Sequence, residues 1–191
     1  MSKEINPRVC PVENAGGLDN SIRRFLQNPK KILSSHIHKE MIVLDLGCGP
    51  GFFSIEIAKL LSRTGKIIAA DLQEGMLEII RQKIIGTELE KLFLLHKCDK
   101  NNIGVTEKVD FVLCFYVIHE VPDQNKLFSE LKSILKPDGK ILIIEPKIHV
   151  PKSDFINMCD KLNILGFEII ERPKVFFSRS ILIRKLYSNL N

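Results

Sequence analysis

The segment with the most chemical content is Asp45-Leu46-Gly47-Cys48-Gly49-Pro50-Gly51, which follows the apolar run Ile42-Val43-Leu44. Three glycines at alternate positions remove Cβ atoms from one short stretch, so the chain can take positive φ and a ligand can press on bare main chain. Apolar residues at Phe53, Ile57, Ala58 and Leu61 predict a helix starting near Gly51 or Phe52. Its unpaired N–H groups and dipole favour a negative group such as a carboxylate. A dinucleotide fingerprint would place its third glycine at position 52, where Phe52 stands. The spacing G-x-G-x-G therefore argues against a bound pyrophosphate. A ligand with a short zwitterionic tail suits it better, with the carboxylate at the helix start and the ammonium on Asp45, directly or through water. A tight turn with no ligand is the alternative reading of the glycines alone.

Two further acids weigh on that choice. Asp71 ends the run Ile67-Ile68-Ala69-Ala70 and lies 20 residues after Gly51. An acid there can accept both hydroxyls of a ribose, and it can equally cap the next helix. Leu72 and Met76 then offer apolar surface to a base, although Met76 also stands at core spacing. Asp99, in His96-Lys97-Cys98-Asp99, is placed to accept from an exocyclic amine or to sit in a surface loop. Three acids ending three successive strands, beside a glycine turn, form a constellation that no single residue makes.

The elements that must position these groups alternate along the chain. Strands are predicted over Ile42–Leu44, Lys66–Ala70, Leu92–Leu95, Val109–Phe115 and Ile141–Ile144, with final strands at Phe167–Ile170 and Ile181–Arg184. Helices are predicted over Phe52–Leu61, Glu74–Ile85, Pro122–Leu135 and Asp154–Leu165, the last stopped by Gly166. This alternation predicts an α/β, doubly wound sheet with helices on both faces. Residues 1–39 read as an N-terminal extension that packs on, and covers, the domain of residues 40–191. Asp19 or Asn20 is placed to cap a short helix over Ser21–Gln27, ended by Asn28-Pro29, and a helical turn follows over Lys30–Ser34.

The chain has 191 residues, 45% hydrophobic and 27% charged, which fits one folded domain and excludes a disordered or fibrous chain. Its longest apolar run, Phe111 to Ile118, is far short of the roughly 20 residues of a membrane span. No apolar leader follows Met1, so a soluble, cytoplasmic protein is expected. The five cysteines form no C-x-x-C pair, which leaves a disulfide framework or zinc site unsupported, and no metal is expected. A net charge of +5 spread over dispersed lysines is not a nucleic-acid footprint.

These residues resemble the class I S-adenosylmethionine-dependent methyltransferases of the small-molecule, type 11 kind. Val43-Leu44-Asp45-Leu46-Gly47-Cys48-Gly49-Pro50-Gly51 is similar to that family's first motif, Ala69-Ala70-Asp71-Leu72 with Met76 to its second, and Leu135-Lys136-Pro137-Asp138-Gly139-Lys140 to the turn before its fifth strand. The resemblance implies a seven-stranded sheet with the last strand antiparallel and S-adenosylmethionine as cofactor. It places the methionine part over Gly47, Gly49 and Gly51, the ribose on Asp71, and the adenine near Leu72 with Asp99 at its amine. Phe115 closes that pocket. It further implies that substrate choice lies in the N-terminal extension, as a lid, and in the region after Glu145.

Methyl transfer from a sulfonium needs alignment first and a base only when the acceptor must lose a proton. In Phe115-Tyr116-Val117-Ile118-His119-Glu120, His119 is the histidine nominated as base. A structural role beside the cofactor is its alternative, and Tyr116 and Glu120 are lesser candidates. His36, His38, His96 and His149 show no catalytic pattern. Cys114-Phe115-Tyr116-Val117 lacks the Asn/Asp-Pro-Pro-aromatic segment of exocyclic-amine methylation, and Cys114 lies in an apolar strand that disfavours a thiolate. A small-molecule acceptor is expected and nucleic acid is disfavoured. The competing readings are a cofactor-binding module without turnover, an RNA or protein methyltransferase, and, on fold alone, a dehydrogenase.

Overall fold

A computed structural model describes residues 26–186. Asp19, Asn20 and most of the helix expected over Ser21–Gln27 lie outside them. The elements are α1 (Pro29–Leu33), β1 (Ile42–Leu46), α2 (Ser54–Leu60), β2 (Lys66–Asp71), α3 (Glu74–Ile84), β3 (Phe93–Lys97), β4 (Val109–Phe115), α4 (Gln124–Ile134), β5 (Leu135–Pro146), α5 (Lys152–Ile164), β6 (Phe167–Glu171) and β7 (Ser178–Lys185).

The strands form one seven-stranded sheet in the order β3-β2-β1-β4-β5-β7-β6. Its strands run parallel except β7, which lies antiparallel between β5 and β6. The central strands are continuous apolar runs because both of their faces are covered. Val43, Ile67, Phe111, Leu113, Leu142 and Ile144 pack under α1 and α2 with Leu33, Phe53 and Ile57. Their neighbours Leu44, Ile68, Val112, Cys114, Ile141 and Ile143 pack under α4 and α5 with Phe128, Leu131, Phe155 and Leu162. The strand order reverses between β1 and β4, the position where open sheets of this kind bind ligands.

Three differences from the predicted elements have local causes. Asn28 does not only end a preceding segment: its side chain accepts from the Lys31 N–H at 3.1 Å and caps α1, with Pro29 at the first helical position. The Leu33 and Ile37 side chains that follow are buried in the core, so this part of the extension belongs to the domain's packing. β5 begins at Leu135 rather than Ile141, because Leu135 pairs with Val109 and Lys140 with Phe111, leaving Lys136 to Gly139 as a bulge. Asp110 ties that bulge to β1, accepting from Lys136 Nζ at 2.7 Å and the Ile42 N–H at 2.8 Å. Finally, α2 begins at Ser54, later than Gly51 or Phe52, after a turn in which Gly51 N–H donates to Cys48 O.

Candidate functional site

A cavity of about 1040 Å³ opens at the carboxyl ends of β1, β2 and β4. It brings together Asp45, Gly47, Gly49, Asp71, Leu72, Met76, Asp99, Phe115, Tyr116 and His119. Gly51 stands apart. Its φ is +87°, and a Cβ there would come within 2.9 Å of Ile80 Cγ1, so this glycine lets α3 close on the turn.

At Gly47 the backbone lies at φ +69°, and a Cβ would meet Val117 Cγ2 at 2.6 Å. The turn's own amides are already engaged: Gly47 and Cys48 donate to Ala70 O, and Gly49 donates to Asp71 Oδ2 at 2.9 Å. This stretch therefore offers a ligand close main-chain surface rather than a row of open donors. Asp71 Oδ1 accepts from the Gln73 N–H at 2.8 Å. The cap position of α3 is Gln73, so Asp71 forms a turn ahead of the helix instead of capping it.

Asp45 and Asp71 are buried with neutral partners. Asp45 is 2% exposed and accepts from Ser54 Oγ at 2.5 Å. Burial pushes its carboxyl up to about 7; the Ser54 hydroxyl opposes the rise and the charge of Asp71 adds to it. Burial likewise raises Asp71, against the N–H groups of Gln73, Gly49 and Leu72. Glu120 is pushed up to about 7, by burial first and by Asp71 and Glu145 in addition, against the pull of His119. A ligand that brings a cationic group and hydroxyl donors relieves both costs. Asp99 closes a small bridge with Asn102, their main chains exchanging bonds of 3.0 and 3.2 Å. Cys48 and Cys114 are held protonated by burial, and Cys98 is pushed up to about 12, so none of the three is a nucleophile at neutral pH.

The other end of the cavity follows β4. Tyr116 takes φ +61°, an unusual backbone for a residue with a side chain. Its hydroxyl lies 2.7 Å from Ser178 Oγ and accepts from Gln27 Nε2 at 2.5 Å. Its ring and those of Phe115 and Phe53 pack in series, at centroid distances of 4.2 and 4.3 Å. His119 follows in a 3₁₀ turn, Ile118–Glu120, with Nδ1 2.5 Å from Glu145 Oε2. Three exposed apolar side chains, Ile148, Phe176 and Phe177, line this end, with exposures of 75%, 54% and 54%.

Several residues in and around the cavity escaped the sequence reading. Glu145 lies one residue short of the end of β5, as Asp45 does in β1, so the rule that selected the other acids would have found it. His149, which shows no catalytic pattern in the sequence, lines the cavity with its ring 5.8 Å from that of His119. Gln27, Ser54 and Ser178 are placed by contacts between distant elements, and nothing in the sequence marks them.

Residues 37–172, over half of the chain, match the family model described as a methyltransferase domain. A demethylmenaquinone methyltransferase of Lactobacillus johnsonii is 35% identical over 103 residues, which is 53% of this chain and 42% of that protein. One of Staphylococcus saprophyticus is 30% identical over 149 residues, 75% of this chain and 61% of that protein. The matched stretch thus spans about half the length of these curated relatives. A crystal structure of an S-adenosylmethionine-dependent methyltransferase from Aquifex aeolicus superposes with a TM-score of 0.80 at 24% identity, covering 91% of this chain and 98% of that one. At that identity the likeness is one of fold.

Proposed function

The chain belongs to the methyltransferase domain family, and we propose that it transfers a methyl group from S-adenosylmethionine to a small, apolar acceptor. The observation that carries this reading is a single cavity with two unlike ends: buried acids around a bare glycine turn, and an aromatic lip beside His119. When bound, the cofactor supplies an activated methyl group on a positively charged sulfur. In this proposal Asp71 takes the ribose hydroxyls, Leu72 and Met76 flank the adenine with Asp99 at its amine, and Gly47 and Gly49 underlie the methionine part. Asp45 balances the ammonium charge, and Phe115 walls off the transfer position. His119 and Tyr116 face the acceptor. The exposed apolar lip matches an acceptor of low polarity, as does the name of the curated relatives, which refers to demethylmenaquinone. The part of the extension ahead of α1 serves as its lid in this reading, and Leu26 and Gln27 line the cavity. A polyanion such as nucleic acid is disfavoured in this reading, because the +5 net charge is spread over dispersed lysines. We place the reaction in the cytoplasm, and no helix among the described residues is long and apolar enough to cross a membrane.

The test is to incubate the purified protein with methyl-labelled cofactor and a cell extract, then to fractionate. Label in small molecules that partition into organic solvent is the expected result. Label confined to RNA or protein would overturn the acceptor class. Cofactor binding with no label anywhere would make this a binding module.

A further inference from the structure

The loop that follows β5 and the loop that leads into β7 combine apolar exposure with positive charge. They lie side by side. The Lys147 N–H donates to Phe177 O at 3.2 Å, and the Arg179 guanidinium donates to Val150 O at 2.8 Å. From these loops Ile148, Phe176 and Phe177 line the cavity, yet each is more than half exposed. The Phe176 and Phe177 rings stand 6.1 Å apart, whereas the other described phenylalanines are buried or half-buried. Phe177 also takes φ +53°, a backbone that a bulky residue adopts only at a cost. Packing within the chain does not offset that strain, because the ring stays in water. Around these side chains the charge has one sign. Residues 146–153 and 172–180 hold Lys147, Lys152, Arg172, Lys174 and Arg179, with no Asp or Glu. The flanking acids are Asp154, Glu171 and the buried Glu145. Lys147, Lys152 and Lys174 are exposed, and no ion pair among the described residues engages them. The cavity's acids Glu120, Asp123 and Glu130 come from other segments, the stretch after β4 and helix α4.

Resting on the apolar-acceptor reading above, we propose that these two loops dock on the surface of an anionic lipid bilayer, through which a lipid-dissolved acceptor enters the cavity. Apolar side chains that enter the headgroup region, ringed by lysines that face lipid phosphates, attach a protein peripherally and reversibly. Each half of the pattern argues against a simpler occupant. A small acceptor arriving from water needs the apolar side chains but not the cations. A second copy in a two-fold dimer would bring the patch against itself, five cations facing the same five. A bilayer meets both halves at once. It is also the phase in which an acceptor of low polarity collects, and the cavity opens into the patch itself.

The chain has no tryptophan, so Phe176→Trp supplies the only one and reports its own surroundings. The experiment mixes full-length F176W and wild type with two kinds of vesicle, reading fluorescence and sedimentation. One kind is phosphatidylcholine, and in the other about 30% of it is replaced by phosphatidylglycerol. We expect sedimentation and a blue-shifted emission with the anionic vesicles, and at least tenfold weaker binding to phosphatidylcholine alone. Each lysine near an anionic surface is worth roughly fivefold in partitioning, so Lys147→Ser with Lys174→Ser should weaken binding about 25-fold. Lys91→Ser with Lys97→Ser removes the same charge from the β3 edge of the sheet, and should change binding by no more than about threefold. Phe176→Ser with Phe177→Asn should abolish sedimentation, asparagine being tolerant of the left-handed backbone. If that variant does not fold, the lysine pairs and the F176W emission decide the question. Equal losses from the two lysine pairs, or sedimentation without a blue shift, would reveal adsorption by net charge alone and overturn the surface. A dimer in analytical ultracentrifugation, with no vesicle binding, would overturn it in favour of self-association. Wild type that binds S-adenosylhomocysteine but no vesicles would overturn the surface alone. Vesicle binding without S-adenosylhomocysteine binding would leave the surface standing and remove the methyltransferase reading.

Discussion

At the scale of single residues, the site is governed by carboxyls that burial holds back from ionising. Asp45 and Glu120 both titrate at about 7 in the folded chain, against roughly 4 for an unfolded carboxyl. Between these values the folded state holds more protons than the unfolded one, so stability present at pH 5 is lost as the pH rises toward 8. A cationic ligand favours the ionised forms and opposes that loss. Thermal unfolding should therefore give a lower Tm at pH 8 than at pH 5 for the protein alone. Stabilisation by S-adenosylhomocysteine should be larger at pH 8, and an equal gain at both pH values would count against the ammonium–Asp45 assignment. Asp45 and Asp71 were readable as strand-end positions. Their partners were not, because the Ser54 hydroxyl and the Gln73 amide reach them only once the turns have closed.

At the scale of elements, the β1–α2 turn is the feature most fully written in the sequence, and β5 the least. The turn's glycines announce a backbone that other residues resist. The bulge in β5 depends on Asp110 in another strand, and a helix pattern running into Leu135 hides it. Gly47→Ala tests the turn. The left-handed backbone alone costs about 1–2 kcal/mol, and the approach to Val117 adds a displacement of the segment carrying Tyr116 and His119. Urea unfolding should show at least that loss, together with weakened binding of S-adenosylhomocysteine. A variant with wild-type stability and binding would mean that the turn's shape is not needed.

For the whole molecule, sheet order decides where function can sit. The alternation of apolar strands and amphipathic helices made the two-faced sheet predictable. That the last strand runs antiparallel was available only through family resemblance, and its insertion between β5 and β6 was not foreseen, since strand order leaves no local mark. Reversal of that order between β1 and β4 gathers Asp45, Asp71 and Phe115 from three strands around one chamber. The account stands on that chamber being shaped for an adenosyl ligand, and calorimetric titration of the purified protein tests this most directly. We predict that S-adenosylhomocysteine binds with one-to-one stoichiometry and that NAD gives no heat. Asp71→Ala, folded as judged by circular dichroism, should bind at least tenfold more weakly, a loss of about 1.4 kcal/mol. No heat with S-adenosylhomocysteine, or undiminished affinity in the variant, would contradict the assignment.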